Sequence, residues 1–176
     1  KNSSNTVSRD YEVRYTPGSK SAPTEIQELE IVSKSTNRSV VLPLEAETDS
    51  IDKVFYVGSR CIVLGTLVSD AGECIYVVDA KEARVVASTW CFRPVVSPKG
   101  DCVVFEHWNP KMTPSEWIWP TVSVISTELA ELGPVMVYPY EEKNPAGQGG
   151  DRHYVVSPKV WNAEGDAFAF LDVFGD

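Results

Sequence analysis

Pro94-Val-Val-Ser-Pro-Lys99 runs into Gly100-Asp-Cys-Val-Val-Phe105, and the pattern returns as Tyr154-Val-Val-Ser-Pro-Lys159 followed by Gly165-Asp-Ala-Phe-Ala-Phe170. Each copy reads as a tight β-hairpin. An apolar pair enters, and Ser-Pro fixes the corner because the proline ring presets φ at about −65°. The glycine supplies the positive φ that lets the next apolar strand leave beside the first. The second copy carries a five-residue insert, Val160-Trp-Asn-Ala-Glu164, and Val54-Phe-Tyr-Val-Gly-Ser-Arg-Cys-Ile-Val-Leu64 is a degenerate earlier copy.

Working outward, a second register supports the first. Leu29-Glu-Ile-Val32, Ile75-Tyr-Val-Val78 and Val122-Ser-Val-Ile125 each open a unit, at offsets of 46 (75 − 29) and 47 (122 − 75) residues. A period of this length marks a repeat architecture. Polar turns follow at Ser33 to Ser39, Asp79 to Arg84 and Ser126 to Glu131, with return strands at Val40-Val41, Val85-Val86 and Val135 to Tyr138. The runs are short and rich in β-branched and aromatic residues, as strands of sandwiches, barrels and propellers are. Helical turns are predicted only at Thr24 to Glu30 and Thr127 to Leu132, the latter ended by Gly133-Pro134. The expected fold is all-β. It consists of a polar tail over 1–10 and one domain over 11–176, with three blade-like repeats at about 29–74, 75–121 and 122–176.

The Ser-Pro-x-Gly-Asp element with its apolar exit strand resembles the repeat of TolB-like (WD40-like, PD40) β-propellers. In that family the turn usually reads Ser-Pro-Asp-Gly-Lys. Here Lys99 and Asp101 exchange the acid and the base. The resemblance implies blade architecture and leaves function open, since one fold hosts many activities. Propellers close with four to eight blades. Three units therefore imply a partial or open propeller, a twisted β-sandwich, a section of a longer chain, or a homodimer that completes six blades.

With 16 basic against 25 acidic residues the chain carries a net charge of −9. That field disfavours nucleic acid and anionic lipid and favours a basic protein partner. No apolar run reaches the length of a membrane span, so no membrane insertion is expected. The chain opens on Lys1 and a Ser/Asn-rich stretch, which suits a segment behind a removed signal or a lipid anchor, so the expected location is periplasmic or secreted. Four cysteines at spacings unlike any zinc motif leave two disulfides possible. Cys74 and Cys91 flank the hairpin turned at Asp79 to Ala83 and are the expected bridge, with Cys61 and Cys102 as a second pair; four buried thiols are the alternative.

Catalytic chemistry has little to draw on. His107 and His153 are the only histidines, no Gly-x-Ser-x-Gly elbow is present, and Gly147-Gln-Gly-Gly-Asp151 lacks the ending of a phosphate loop. No catalytic residue, metal or cofactor is assigned. Two insertions interrupt the repeat, and binding residues concentrate on such loops. Residues 107–120 carry Trp108, Lys111, Trp117 and Trp119, large contact surfaces of the kind found at binding hot spots. Residues 139–153 present Tyr140, Glu141 and Glu142 to a basic surface. The expected function is a non-enzymatic protein-binding module of the cell envelope, such as an inhibitor or immunity protein against a basic toxin or lytic enzyme. The alternatives are a structural section of a larger propeller and a hydrolase using His107 or His153.

Overall fold

The computed structural model describes residues 10–15, 27–44, 48–67, 72–108, 120–138 and 152–175. They form twelve antiparallel strands and one short 3-10 turn at Ala130–Leu132. The strands are β1 (Tyr11–Tyr15), β2 (Glu28–Ser33), β3 (Ser39–Pro43), β4 (Thr48–Val57), β5 (Arg60–Leu67), β6 (Glu73–Asp79), β7 (Arg84–Val96), β8 (Cys102–Trp108), β9 (Pro120–Ser126), β10 (Val135–Tyr138), β11 (Arg152–Trp161) and β12 (Phe168–Gly175). Hydrogen bonding groups them as β1-β2-β3, β4 through β10 in sequence order, and β11-β12. The fold is all-β, as the sequence predicts.

The seven-stranded order is two blades sharing one strand. The first part of β7 pairs with β6, from Asp79↔Arg84 to Glu73↔Cys91, and its last part pairs with β8, from Phe92↔Glu106 to Val96↔Val103. Between the two halves the register shifts, and Arg93 takes a left-handed φ of +49°. A non-glycine residue there is uncommon and marks a bulge that turns the strand. The outer strand of one blade thus becomes the inner strand of the next. The blades are β1-β2-β3, then β4-β5-β6 with the first part of β7, then the rest of β7 with β8-β9-β10, then β11-β12.

The blades stack face to face, and period-two alternation assigns each side chain to one of three cores. Cys74, Tyr76 and Val78 of β6 and Cys61 and Val63 of β5 face Val13, Leu29 and Ile31 of the first blade. Ile75, Val77 and Ile62 point the other way, onto Val103, Phe105 and Ile125 of the third blade. Val104 and Val122 meet Trp161, Phe168 and Phe170 of the fourth. Burial on both faces explains why β6 reads as a continuous apolar run rather than an alternating one.

The two sequence registers are two phases of one repeat. Leu29, Ile75 and Val122 lie on β2, β6 and β9, the next-to-last strand of the first three blades, whereas the duplicated hairpin joins the first strand to the second. One contact ties the phases together in three blades: Lys34 N–H donates to Asp10 O (2.9 Å), Ala80 N–H to Ser59 O (2.8 Å) and Thr127 N–H to Asp101 O (2.9 Å). Those donors are again 46 (80 − 34) and 47 (127 − 80) residues apart.

Four local expectations change. The segment Ser157-Pro-Lys159 is not a turn: it lies within β11, where the pairing with β12 shifts register between Val156 and Val160. The real counterpart of Ser97-Pro-Lys-Gly-Asp101 is Asn162-Ala-Glu-Gly-Asp166. In both, the N–H of the glycine donates to the carbonyl of the first residue, Gly100 to Ser97 at 2.9 Å and Gly165 to Asn162 at 3.1 Å. Glu28 to Glu30, read as helical, is strand in β2. The expected Cys74–Cys91 bridge is off by one residue, because Cys74 sits opposite Trp90 and Cys91 opposite Glu73. A one-residue offset puts the two thiols on opposite faces, Cys74 in the core with the first blade and Cys91 in the core with the third. Cys61 likewise faces the first blade, while Cys102 lies on the same face of β8 as Val104, toward the fourth, so two sheets separate them. All four are free thiols.

Candidate functional site

The repeat turn has a physical reason for each of its polar and glycine positions. Gly100 and Gly165 have φ of +75° and +70°, accessible to glycine at no steric cost. Both also press on the preceding blade. A Cβ on Gly100 would meet Phe55 Cβ at 3.2 Å, and one on Gly165 would meet Pro98 Cδ at 3.2 Å. The aspartate after each glycine closes the turn: Ser97 Oγ donates to Asp101 Oδ1 at 2.6 Å, and Asn162 Nδ2 to Asp166 Oδ1 at 2.6 Å. Successive turns therefore nest, and each holds its carboxylate at the same end of the stack.

Between the turns of the third and fourth blades lies an open groove of about 430 Å³. Its apolar lining includes Val57, Val124, Val137, Trp161 and Phe168, and the carboxylates on it are Asp101, Glu128 and Asp166. Among the described residues no lysine, arginine or histidine lines it. Trp161 is fixed by its indole N–H, which donates to Val95 O at 2.9 Å, and its ring lies 5.1 Å from that of Phe168, tilted by 60°. Arg60, which reaches this rim at Thr127, is already committed: it donates to Thr127 O at 2.6 Å and pairs with Glu131 and Asp79. The hydrogen bond to Glu131 raises the guanidinium's pKa and lowers that of the carboxylate, so this pair stays ionised. Cys102 also lines the groove. Burial, reinforced by the Asp101 charge, pushes its pKa up to about 11, so it is a thiol at neutral pH rather than a nucleophilic thiolate. The carboxylates and apolar side chains that line the groove suit cationic and apolar groups.

A buried ion pair anchors the fourth blade farther along β8. Lys159 Nζ, fully buried, donates to Glu106 Oε1 at 2.5 Å, and Glu106 Oε2 lies 3.6 Å from the guanidinium of Arg93. Glu73 accepts the Arg93 backbone N–H at 3.3 Å. The pair is internal scaffolding between β8, β11 and the bend of β7.

Of the residues the sequence singles out, Lys111, Trp117, Trp119, Tyr140, Glu141 and Glu142 lie outside the described residues. Trp108 and His107 are placed only as the end of β8 and His153 as the start of β11, their side chains falling outside the description. Among the described residues no group of three or more histidine, cysteine or acidic side chains could hold a metal, and no helix is long and apolar enough to cross a membrane. The groove was missed because Asp101 and Asp166 are fully accounted for as turn residues. The signal was present in the duplicated Gly-Asp, which places one carboxylate per blade at a common end.

No family model matches the chain, and no curated protein matches it. Among solved structures, hydrazine synthase of Kuenenia stuttgartiensis is similar with a TM-score of 0.42 at 14% identity, over 90% of this chain and 46% of that one. The chain thus spans about half the length of that neighbour, and a likeness of this degree carries no argument about activity.

Proposed function

We propose that the chain is a non-enzymatic protein-binding module whose groove between the third and fourth blades takes a basic segment of a partner protein. The observation that carries this reading is the lining itself: Asp101, Glu128 and Asp166 around Trp161 and Phe168, with no base among the described lining residues. Carboxylates beside an aromatic face attract both the charge and the apolar stem of lysine or arginine. The net charge of −9 adds long-range steering toward a cationic protein. A basic toxin or lytic enzyme of the cell envelope is a partner class with this chemistry. The test is titration of a lysine-rich peptide into the wild type and into Asp101→Asn/Glu128→Gln/Asp166→Asn. Loss of about tenfold or more in affinity supports the reading; equal binding sinks it.

A second reading places the chain as an arc of a larger TolB-like propeller. It is favoured by the strand count among the described residues, three in β1-β2-β3 and two in β11-β12, against four in each blade between them. A low-resolution solution envelope of the natural gene product that shows no closed ring would remove this reading.

A further inference from the structure

Beside the groove runs β10, whose outer edge is paired to no strand among the described residues. Its side chains are unusually apolar for an edge: Val135, Met136 and Val137 are 39%, 42% and 42% exposed. Natural edges are commonly blunted by lysine, proline or an inward charge, and these three positions carry none. Val135 stands opposite Val124 and Met136 opposite Ser123, which assigns their side chains to opposite faces. Val137 and Val124 line the groove, so the face of β10 toward the fourth blade is continuous with the carboxylates of Glu128, Asp101 and Asp166.

We infer that the partner's basic segment binds as an added antiparallel or parallel β-strand along the outer edge of β10. This rests on the groove reading above and extends it. A strand laid on β10 sends alternate side chains to the two faces. On the groove face, lysine or arginine reaches the three carboxylates. On the other face, an apolar residue covers Met136. Main-chain hydrogen bonds supply affinity and the alternate side chains supply selectivity, the division of labour seen wherever peptides extend a sheet. Charge selects the occupant: a second copy of this chain would bring another net −9 to a carboxylate-lined edge. The other exposed apolar edge, Val40 and Val41 of β3, adjoins a turn carrying Lys34 and Arg38 and so lacks this complementarity.

The experiment compares two synthetic peptides of one sequence that alternates lysine with valine, one plain and one N-methylated at every second amide. Methylation removes ladder donors and leaves the side-chain charges. The full chain is used unaltered, with binding read by calorimetry and backbone protection by amide exchange. The expected result is binding of the plain peptide, binding of the methylated one weaker by about tenfold or more, and new protection confined to Val135–Tyr138. Equal binding of both peptides overturns strand addition and leaves the groove reading standing. Failure of both to bind overturns the two together. Three protection patterns also overturn the inference: new protection at β3, protection of β10 that rises with protein concentration without peptide, and protection of β10 already complete in the dilute free chain.

Discussion

Lys159 and Glu106 illustrate what a single pair contributes. Two charges taken from water cost several kcal/mol each, and their attraction offsets this only when both are present. Glu106→Leu leaves the ammonium of a fully buried lysine without its carboxylate, and about 3–5 kcal/mol of stability should be lost. Lys159→Met should cost less, because Glu106 keeps Arg93 at 3.6 Å. The double variant should recover most of the loss. Urea unfolding of the three proteins checks this; a double variant as unstable as Glu106→Leu alone would show that the pair is not the cause. Gly100→Ala is the matching backbone case. It forces a Cβ into the left-handed region and to 3.2 Å from Phe55, at a cost of about 1–3 kcal/mol on the same assay. Sequence reading found the glycine and the aspartate of this turn but misplaced Lys159. Ser-Pro-Lys is chemically the same in both copies, and only the later Asn162-Ala-Glu-Gly-Asp166, which repeats the turn without its proline, shows which copy bends.

At the scale of the strand, existence was legible and register was not. The run Ile75-Tyr-Val-Val78 announces β6, and its lack of alternation announces burial on both faces. The one-residue difference that sets Cys74 against Trp90 depends on a register shift between Val77 and Val78 in the pairing with β7, which no residue pattern records. The thiols give this a pH signature. Burial raises the pKa of Cys61 to about 12 and that of Cys102 to about 11, and it raises Cys74 and Cys91 as well. An unfolded thiol ionises near its ordinary value of 9.0. Between pH 9 and about 11 the folded state therefore holds more protons than the unfolded state, and stability falls as pH rises. Below pH 9 this contribution is constant. The limiting slope is about 1.4 kcal/mol per pH unit for each such thiol. Urea midpoints should thus decline from pH 8.5 to 10.5, and the decline should be shallower in Cys61→Ala. Alkylation by iodoacetamide at pH 8.5 should label Cys61, Cys74 and Cys91 only on unfolding; an unlabelled disulfide-linked peptide pair recovered from the native protein would contradict the register.

Over the whole molecule, the decisive property is that each blade touches its neighbours in the stack through a separate core. Val13, Leu29 and Ile31 belong to one cluster, Phe105 and Ile125 to the next, Phe168 and Phe170 to the last. Stability in such an arrangement approximates a sum of units and nearest-neighbour interfaces. The second and third blades are covered on both faces, the first and fourth on one face each among the described residues. This much follows from counting repeats, since a stack has two ends; how the ends are completed does not, because closure depends on tilt and twist that the repeat period leaves free. The unequal coverage predicts unequal opening. Amides of β5, β6 and β8, whose residues Ile62, Val63, Ile75, Val77, Val103 and Val104 are fully buried, should exchange only through global unfolding. Amides of β3, where Val40 and Val41 are about half exposed, should exchange through local opening and faster by roughly two orders of magnitude or more. Adding urea below the unfolding transition separates the two modes, because global opening exposes more surface and responds more steeply. If β3 and β6 instead share one rate and one urea dependence, the blades unfold as a single unit, and the interface between the first and second blades is as strong as the blades themselves.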